Sequence, residues 1–217
     1  MNTFYLFITF LVFATRKWAQ SATTQEIHGW VDGHNNRRLQ VAKGEVRGQP
    51  SASEMNAVIW DNELYVKAQA YAQTHPKGRH NPDKTVPSGR FTTGESLYRK
   101  WTSDRNYKLT PNTAIESWYS EHVNYTYGPL RDSDFDKSKP AIGHYTQLVW
   151  SASVYIGCGI SETYEGNQKV VYAVCNYGPS GNIIGNTPYK RGGPVRSLTC
   201  GCGKKCNNCN NMYGGRN

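Results

Sequence analysis

The amino-acid sequence predicts an α+β fold, and three observations carry that reading. Apolar residues recur at three- and four-residue steps over three long stretches, the period of an amphipathic helix. Two apolar, β-branched runs separated by Glu165-Gly166-Asn167 read as one hairpin. Helices and strands do not alternate regularly, so an antiparallel sheet with helices packed on it is expected rather than a series of βαβ units.

At 217 residues the chain can bury the core of one domain with a short appendage. It opens on an apolar run over residues 1–15, stopped by Arg16-Lys17. That run is too short to span a bilayer as a helix and fits the hydrophobic region of a secretory signal peptide, cleaved between Ala19 and Ala22. No other segment could cross a membrane. Removing residues 1–22 takes away two cations and no acid, leaving +7 of the formal +9 charge. Basic charge of this size favours acidic surfaces or anionic headgroups. No basic run is interleaved with aromatics, so a nucleic-acid groove is not expected.

Residues 25–44 read as the first helix. Ile27, Trp30, Val31, His34, Arg38 and Val41 keep its period, and Gly44 is the stop. Residues 60–75 give the clearest helix, with Asp61 at its start, Leu64, Ala68, Tyr71 and Ala72 on one face, and Pro76 ending it. Residues 78–89 carry Pro82, Pro87 and Gly89, so His80 sits in an irregular segment. Residues 90–101 read as extended or mixed, with Glu95 in an otherwise small and apolar context. Thr110 then caps a helix with Pro111 at its first position, running past Trp118, Tyr119, His122 and Tyr125 to Gly128-Pro129. After a polar loop, residues 143–150 read as a short helix that buries Leu148 and Trp150 and presents His144 to a cavity. Residues 155–160 and 169–175 are the two strands of the hairpin.

All 6 cysteines lie beyond residue 157, and an even count behind a signal peptide reads as disulfides. Cys158 and Cys175 fall on the paired strands, which makes a bridge between them the first choice. Cys200, Cys202, Cys206 and Cys209 crowd into a Gly-, Asn- and Lys-rich end. Their spacing could bind a metal in a reducing cell; behind a signal peptide two disulfides are expected, with three pairings open. Asn124-Tyr125-Thr126 is the sole N-glycosylation sequon, because Asn186-Thr187-Pro188 fails at its third position.

Two stretches identify a family. Gly143-His144-Tyr145-Thr146-Gln147-Leu148-Val149-Trp150 and Val174-Cys175-Asn176-Tyr177-Gly178-Pro179-Ser180-Gly181-Asn182 resemble the two signature motifs of the CAP superfamily. That superfamily groups cysteine-rich secretory proteins, insect venom antigen 5 and plant pathogenesis-related class 1 proteins. Gly33-His34-Asn35-Asn36-Arg37-Arg38-Leu39 is similar to its first-helix motif, and Trp118-Tyr119-Ser120-Glu121 to its later helix. Gly94-Glu95-Ser96-Leu97-Tyr98 is similar to its Gly-Glu-Asn-Leu-Tyr segment, with Ser96 in place of Asn; Ala173 is smaller than the usual apolar residue. Within the superfamily, the venom allergen-like proteins of parasitic worms are most similar. The resemblance implies a three-layer α-β-α sandwich with a small antiparallel sheet. The chain is thus expected to divide into a signal peptide (1–22), a CAP domain (23–184), which the resemblance covers from about residue 25, and a Cys-rich extension (185–217).

The resemblance also picks out a tetrad, His80, Glu95, Glu121 and His144, which lie on four segments that spacing could not have joined. Imidazole and carboxylate are ligands a divalent zinc accepts, and three of them with one open position would make a hydrolytic site. The competing reading is a hydrogen-bonded cavity floor, with no cofactor required. No His-Glu-x-x-His helix supports a zinc protease. Nor does Gly178-Pro179-Ser180-Gly181 have the spacing of a nucleophile elbow, although Ser151 could approach His144. His34 is expected to make a structural hydrogen bond and His122 to point away from the cavity. Glu116 competes with Glu121 for the cavity side, and only the resemblance favours Glu121.

Tyr125, Tyr127 and Pro129 resemble the aromatic loop that lipid-binding members use for sterols, and a glycan on Asn124 would sit beside it. Some relatives hold a fatty-acyl chain between helices, here Ile27 and Val31 against Ile115, Trp118 and Tyr119, for which ordinary core packing is the competing reading. The expectation is a secreted, non-enzymatic protein that binds sterol or fatty acid at a host interface. The alternatives are a metal-dependent hydrolase or peptidase at the His/Glu cavity, and a receptor-binding immunomodulator whose cavity is inert.

Overall fold

The computed structural model describes residues 21–200 and 211–214. Residues 1–20, with most of the expected signal peptide, lie outside that range, as do Cys202, Cys206 and Cys209.

Helix α1 (Thr24–Lys43) begins in a capping box. The Thr23 hydroxyl accepts from the Glu26 N–H, and the Glu26 carboxylate accepts from the Thr23 N–H. It stops at Gly44, whose φ of 74° is the left-handed cap glycine allows at little cost. Helix α2 (Asn62–Ala72) is capped by Asp61 and is shorter than residues 60–75 at both ends. Trp60 belongs instead to the two-residue strand β2 (Ile59–Trp60), and the chain turns away after Ala72 through His75, whose φ is positive.

Helix α3 (Pro111–Tyr119) has the expected Thr110 cap but does not run on to Tyr125. It tightens into a 3₁₀ turn over Ser120–Val123. Carbonyls released there and just beyond are taken from outside, the Gln49 amide donating to those of His122 and Tyr125. A 3₁₀ turn advances about 120° per residue. The angle between Glu116 and Glu121 is therefore not that of one ideal helix.

The sheet runs β2-β4-β5-β3, with β3 (Gly94–Thr102), β4 (Tyr155–Glu165) and β5 (Gln168–Gly178) antiparallel. Strand β2 joins β4 in parallel, so the sheet is antiparallel except for that short edge. Central β5 is buried from Lys169 to Gly178 because helices cover both faces. On one face Val174 packs with Ala68 and Ala72 of α2. On the other, Ala173, Cys175 and Tyr177 join the main core with Trp30, Val31, Ile115 and Trp118 of α1 and α3. Gly157 and Gly159 let α2 lie directly on β4, since a Cβ at either would collide with the α2 backbone. The result is the three-layer sandwich.

Cys158 and Cys175 are register partners and form the expected disulfide, with their Cα atoms 4.1 Å apart. The described part of the extension lies along residues 51–60. Strand β6 (Thr199–Cys200) pairs with β1 (Asn56–Ala57), Tyr189 is buried, and the Trp60 N–H donates to the Met212 carbonyl at 2.7 Å. Cys200 is also disulfide-bonded. No helix among the described residues is long and apolar enough to cross a membrane.

Candidate functional site

The site is organised by helix α4 (Gly143–Leu148), the first signature stretch, which the second stretch clamps in place. The Thr146 hydroxyl donates to Asn182 Oδ1 at 2.7 Å, and Asn182 Nδ2 donates to the Gly143 carbonyl at 2.8 Å. Gln147 accepts from the Gly181 N–H and donates to Ser153 Oγ. Gly94 has to be glycine here, because a Cβ would occupy the Gln147 amide.

Arg38 anchors the other end of α4. Fully buried on α1, it donates to the carbonyls of Asn56, Leu148, Trp150, Ser151 and Ser153 at 2.7–3.3 Å. Burial lowers its pKa to about 9, so it stays charged at neutral pH and complements the carbonyl end of the helix. The periodic pattern already placed Arg38 in the buried stripe of α1, and an arginine there was the signal available in the sequence.

The tetrad comes together as two His–Glu pairs. Glu121 Oε1 accepts from His144 Nδ1 at 2.6 Å, while its Oε2 accepts from the N–H groups of His144 and Tyr145 at 2.9 and 3.1 Å. Glu95 Oε1 accepts from His80 Nδ1 at 2.8 Å and from the Asn81 N–H at 2.9 Å. A carboxylate oxygen accepts, so each ring donates from Nδ1, the tautomer that in a neutral imidazole leaves the Nε2 lone pair facing away from the glutamate. His80, Glu95 and His144 line one cavity of about 350 Å³, with Phe135, Gly143 and Asn182 also in its wall. Glu121 stands behind His144. The side chains of His80 and His144 are 54% and 30% exposed, whereas that of Glu95 is 1% exposed.

Two imidazole Nε2 atoms are available, each steadied by a carboxylate on its far nitrogen, the usual outer-shell arrangement of a metal-binding histidine. Among the described residues no group of three or more His, Cys, Asp or Glu side chains is arranged to hold a metal. The three-ligand hydrolytic geometry is therefore not present among the described residues, where the two histidines stand in the wall of one cavity.

The competing groups fall elsewhere. Glu116 pairs with Arg37 of α1. His34 is fully buried; its Nδ1–H donates to the Trp30 carbonyl and its Nε2 accepts from the Tyr177 hydroxyl at 2.9 Å. Burial pulls its pKa down to about 3. His122 bonds the Tyr119 carbonyl. Ser151 is held through its backbone by Arg38, Asn56 and Pro188, and the partner of the His144 ring is Glu121.

Residues 124–129 together line a second cavity of about 470 Å³, and its wall shares Asp134, Lys139 and Ile142 with the first. The loop is tied down by its own tyrosine hydroxyls. The Tyr125 hydroxyl donates to the Gly128 carbonyl at 2.6 Å and accepts from the Gly128 N–H, and the Tyr127 hydroxyl donates to the Tyr189 carbonyl. Tyr125 belongs to the core, Tyr127 is half-buried, and Pro129 is exposed. Asn124 is exposed beside them, its amide donating to the Ala141 carbonyl at 3.2 Å.

The proposed acyl groove is closed in this structure. Gly29 and Gly33 of α1 lie against Pro111 and Ile115 of α3, too close for a Cβ. Val31, Ile115 and Trp118 are fully buried, with Ile27 and Tyr119 packed at their margin. These five residues form a helix–helix contact.

Residues 31–177 match the family described as "CAP: Cysteine-rich secretory protein family". Venom allergen 5.02 of Dolichovespula maculata is 36% identical over 168 residues, 74% of either chain. The human protein "Cysteine-rich secretory protein LCCL domain-containing 1" is 32% identical over 203 residues, covering 89% of this chain and 37% of that protein. Among solved structures, NaASP2 with Zn²⁺ superposes with a TM-score of 0.65 at 26% identity, over 80% of this chain and 90% of that one. Schistosoma mansoni venom allergen-like protein 4 gives 0.57 at 25% identity, over 79% and 97%.

Proposed function

The chain belongs to the CAP, or cysteine-rich secretory protein, family, and from that membership we propose that it acts outside the cell as a carrier of a sterol or fatty-acyl lipid rather than as an enzyme. The cavity walled by the unbroken run 124–129 carries this reading. Its volume of about 470 Å³ lies in the range of small-molecule pockets. The hydroxyls of Tyr125 and Tyr127 are spent on backbone carbonyls. What the two rings offer a guest is therefore apolar surface, suited to a planar ring system. Arg131, Asp134 and Lys139 supply a polar rim for a hydroxyl or carboxylate head. The hydrogen-bonded tyrosines support a preformed pocket, which binds with little ordering cost. The test is electron density in crystals of protein made in a eukaryotic host. A sterol or acyl chain against Tyr127 is expected, and such a ligand seated elsewhere with this cavity holding only water would overturn the assignment.

A second reading is favoured by the paired histidines: His80 and His144 hold a divalent ion of the zinc type through Nε2, with Glu95 and Glu121 outside. When bound, such an ion would polarise a water or a carbonyl. The residues themselves orient the two imidazoles and fix their tautomers. Zinc titration should give one site that is lost in His144→Ala, and an unchanged isotherm in that variant would dismiss it.

A further inference from the structure

The two His–Glu arms are not held alike. Both oxygens of Glu121 are engaged by protein groups, whereas Glu95 uses only Oε1. Glu95 Oε2 is buried with no partner, as are Nδ2 and Oδ1 of Asn176 and Oγ1 of Thr93. Glu95 and Asn176 are register partners on β3 and β5, so their side chains share a face. It is the α2 face, since Asn176 alternates in step with Val174, which packs on Ala68 and Ala72. Gly94 is directed at Gln147 of α4, which turns its neighbours Thr93 and Glu95 to the opposite side. The Thr93 N–H donates to the Lys84 carbonyl of the loop before β3. Asn176 is fully buried and Thr93 nearly so.

We propose that Thr93, Glu95 and Asn176 enclose a binding site for internal water, and that Asn176 and Thr93 act through it as positioning residues for the Glu95–His80 arm. Buried polar groups in native proteins are satisfied with few exceptions, and an internal water usually makes about three hydrogen bonds. The chemistry of the set selects water over a cation. Three of the atoms can accept, but Asn176 Nδ2 only donates, and a metal ion would leave it unsatisfied. Flipping the amide changes nothing, because both of its heavy atoms lack partners. Water donates to Glu95 Oε2 and Asn176 Oδ1, accepts from Asn176 Nδ2 and from the Thr93 hydroxyl, and so fixes the carboxylate that holds His80 Nδ1.

The test is amide hydrogen exchange on the full chain from a eukaryotic host, free of added lipid and metal. Asn81 reports on Glu95, and the His144 and Tyr145 amides report on Glu121. In Asn176→Ala the Asn81 amide is expected to exchange about tenfold faster, equivalent to about 1.4 kcal/mol, with the other two unchanged. Equal acceleration of all three, or no change at Asn81, would overturn the proposal. If Asn176→Ala does not fold, the near-isosteric Thr93→Val carries the same comparison and the same outcomes. A crystal structure should show water between Glu95 Oε2 and Asn176; direct contact of the two would contradict it. No arm of this test involves lipid or zinc, so its failure leaves the proposed function standing.

Discussion

Glu121 reaches from the 3₁₀ turn behind α3 to His144 at the start of α4, one oxygen on the ring and the other on two backbone N–H groups. One carboxylate thus joins two elements, fixes a tautomer and caps a helix. Glu121→Ala should lower stability by about 1.5–3 kcal/mol, the range for hydrogen bonds to a charged group. Glu116→Ala should change it by less than about 1 kcal/mol, because its partner Arg37 lies on a half-exposed surface. Urea unfolding of the two variants checks the contrast.

Arg38 should be the least replaceable cation in the chain. Arg38→Met removes the guanidinium donor from five carbonyls of residues 56 and 148–153, of which those of Trp150 and Ser151 keep a second donor, and a loss of about 3 kcal/mol or more is expected. Arg38→Lys should restore only part of it, since one ammonium cannot span the same fan of acceptors. Thermal unfolding orders the three proteins.

His34 should give stability a dependence on pH. Its pKa is near 3 when folded, against about 6.5 in the unfolded chain. Between these values the unfolded state binds a proton that the folded state refuses. The contribution is fully present above about pH 6.5 and is lost as pH falls toward 3, at up to about 1.4 kcal/mol per pH unit. His34→Gln, which keeps an acceptor for Tyr177, should flatten that limb. An identical acid limb in the variant would assign it to other groups.

Tyr125 and Tyr127 should separate stability from binding. Tyr125→Ala empties a core position and should cost about 3–5 kcal/mol, whereas Tyr127→Ala should cost less and act on the ligand. Denaturation curves of the two variants make the comparison.

Local signals were legible in the sequence. The Gly44 stop, the Thr110-Pro111 start and the hairpin around Gly166 depend on neighbouring residues, and all three stand where the pattern placed them. Cys158 and Cys175 followed from the hairpin register. Strand β2 was not legible, because two residues have no period and its pairing is to a strand about a hundred residues away. Nor was the change from α3 to a 3₁₀ turn, which depends on the distant Gln49 amide. The tetrad was reached through resemblance alone, and its division into two pairs needed the fold. The helix–helix packing at Gly29 and Gly33 closes a groove that apolar periodicity could not distinguish from core.

Lipid carriage at the tyrosine loop is tested most directly by equilibrium binding of labelled cholesterol and palmitate to wild type, Tyr127→Ala and His144→Ala, each checked for its fold. The account predicts saturable binding of at least one lipid, weakened about tenfold or more in Tyr127→Ala and unchanged in His144→Ala. Saturable binding that ignores Tyr127→Ala, or none to the wild-type protein, would contradict it.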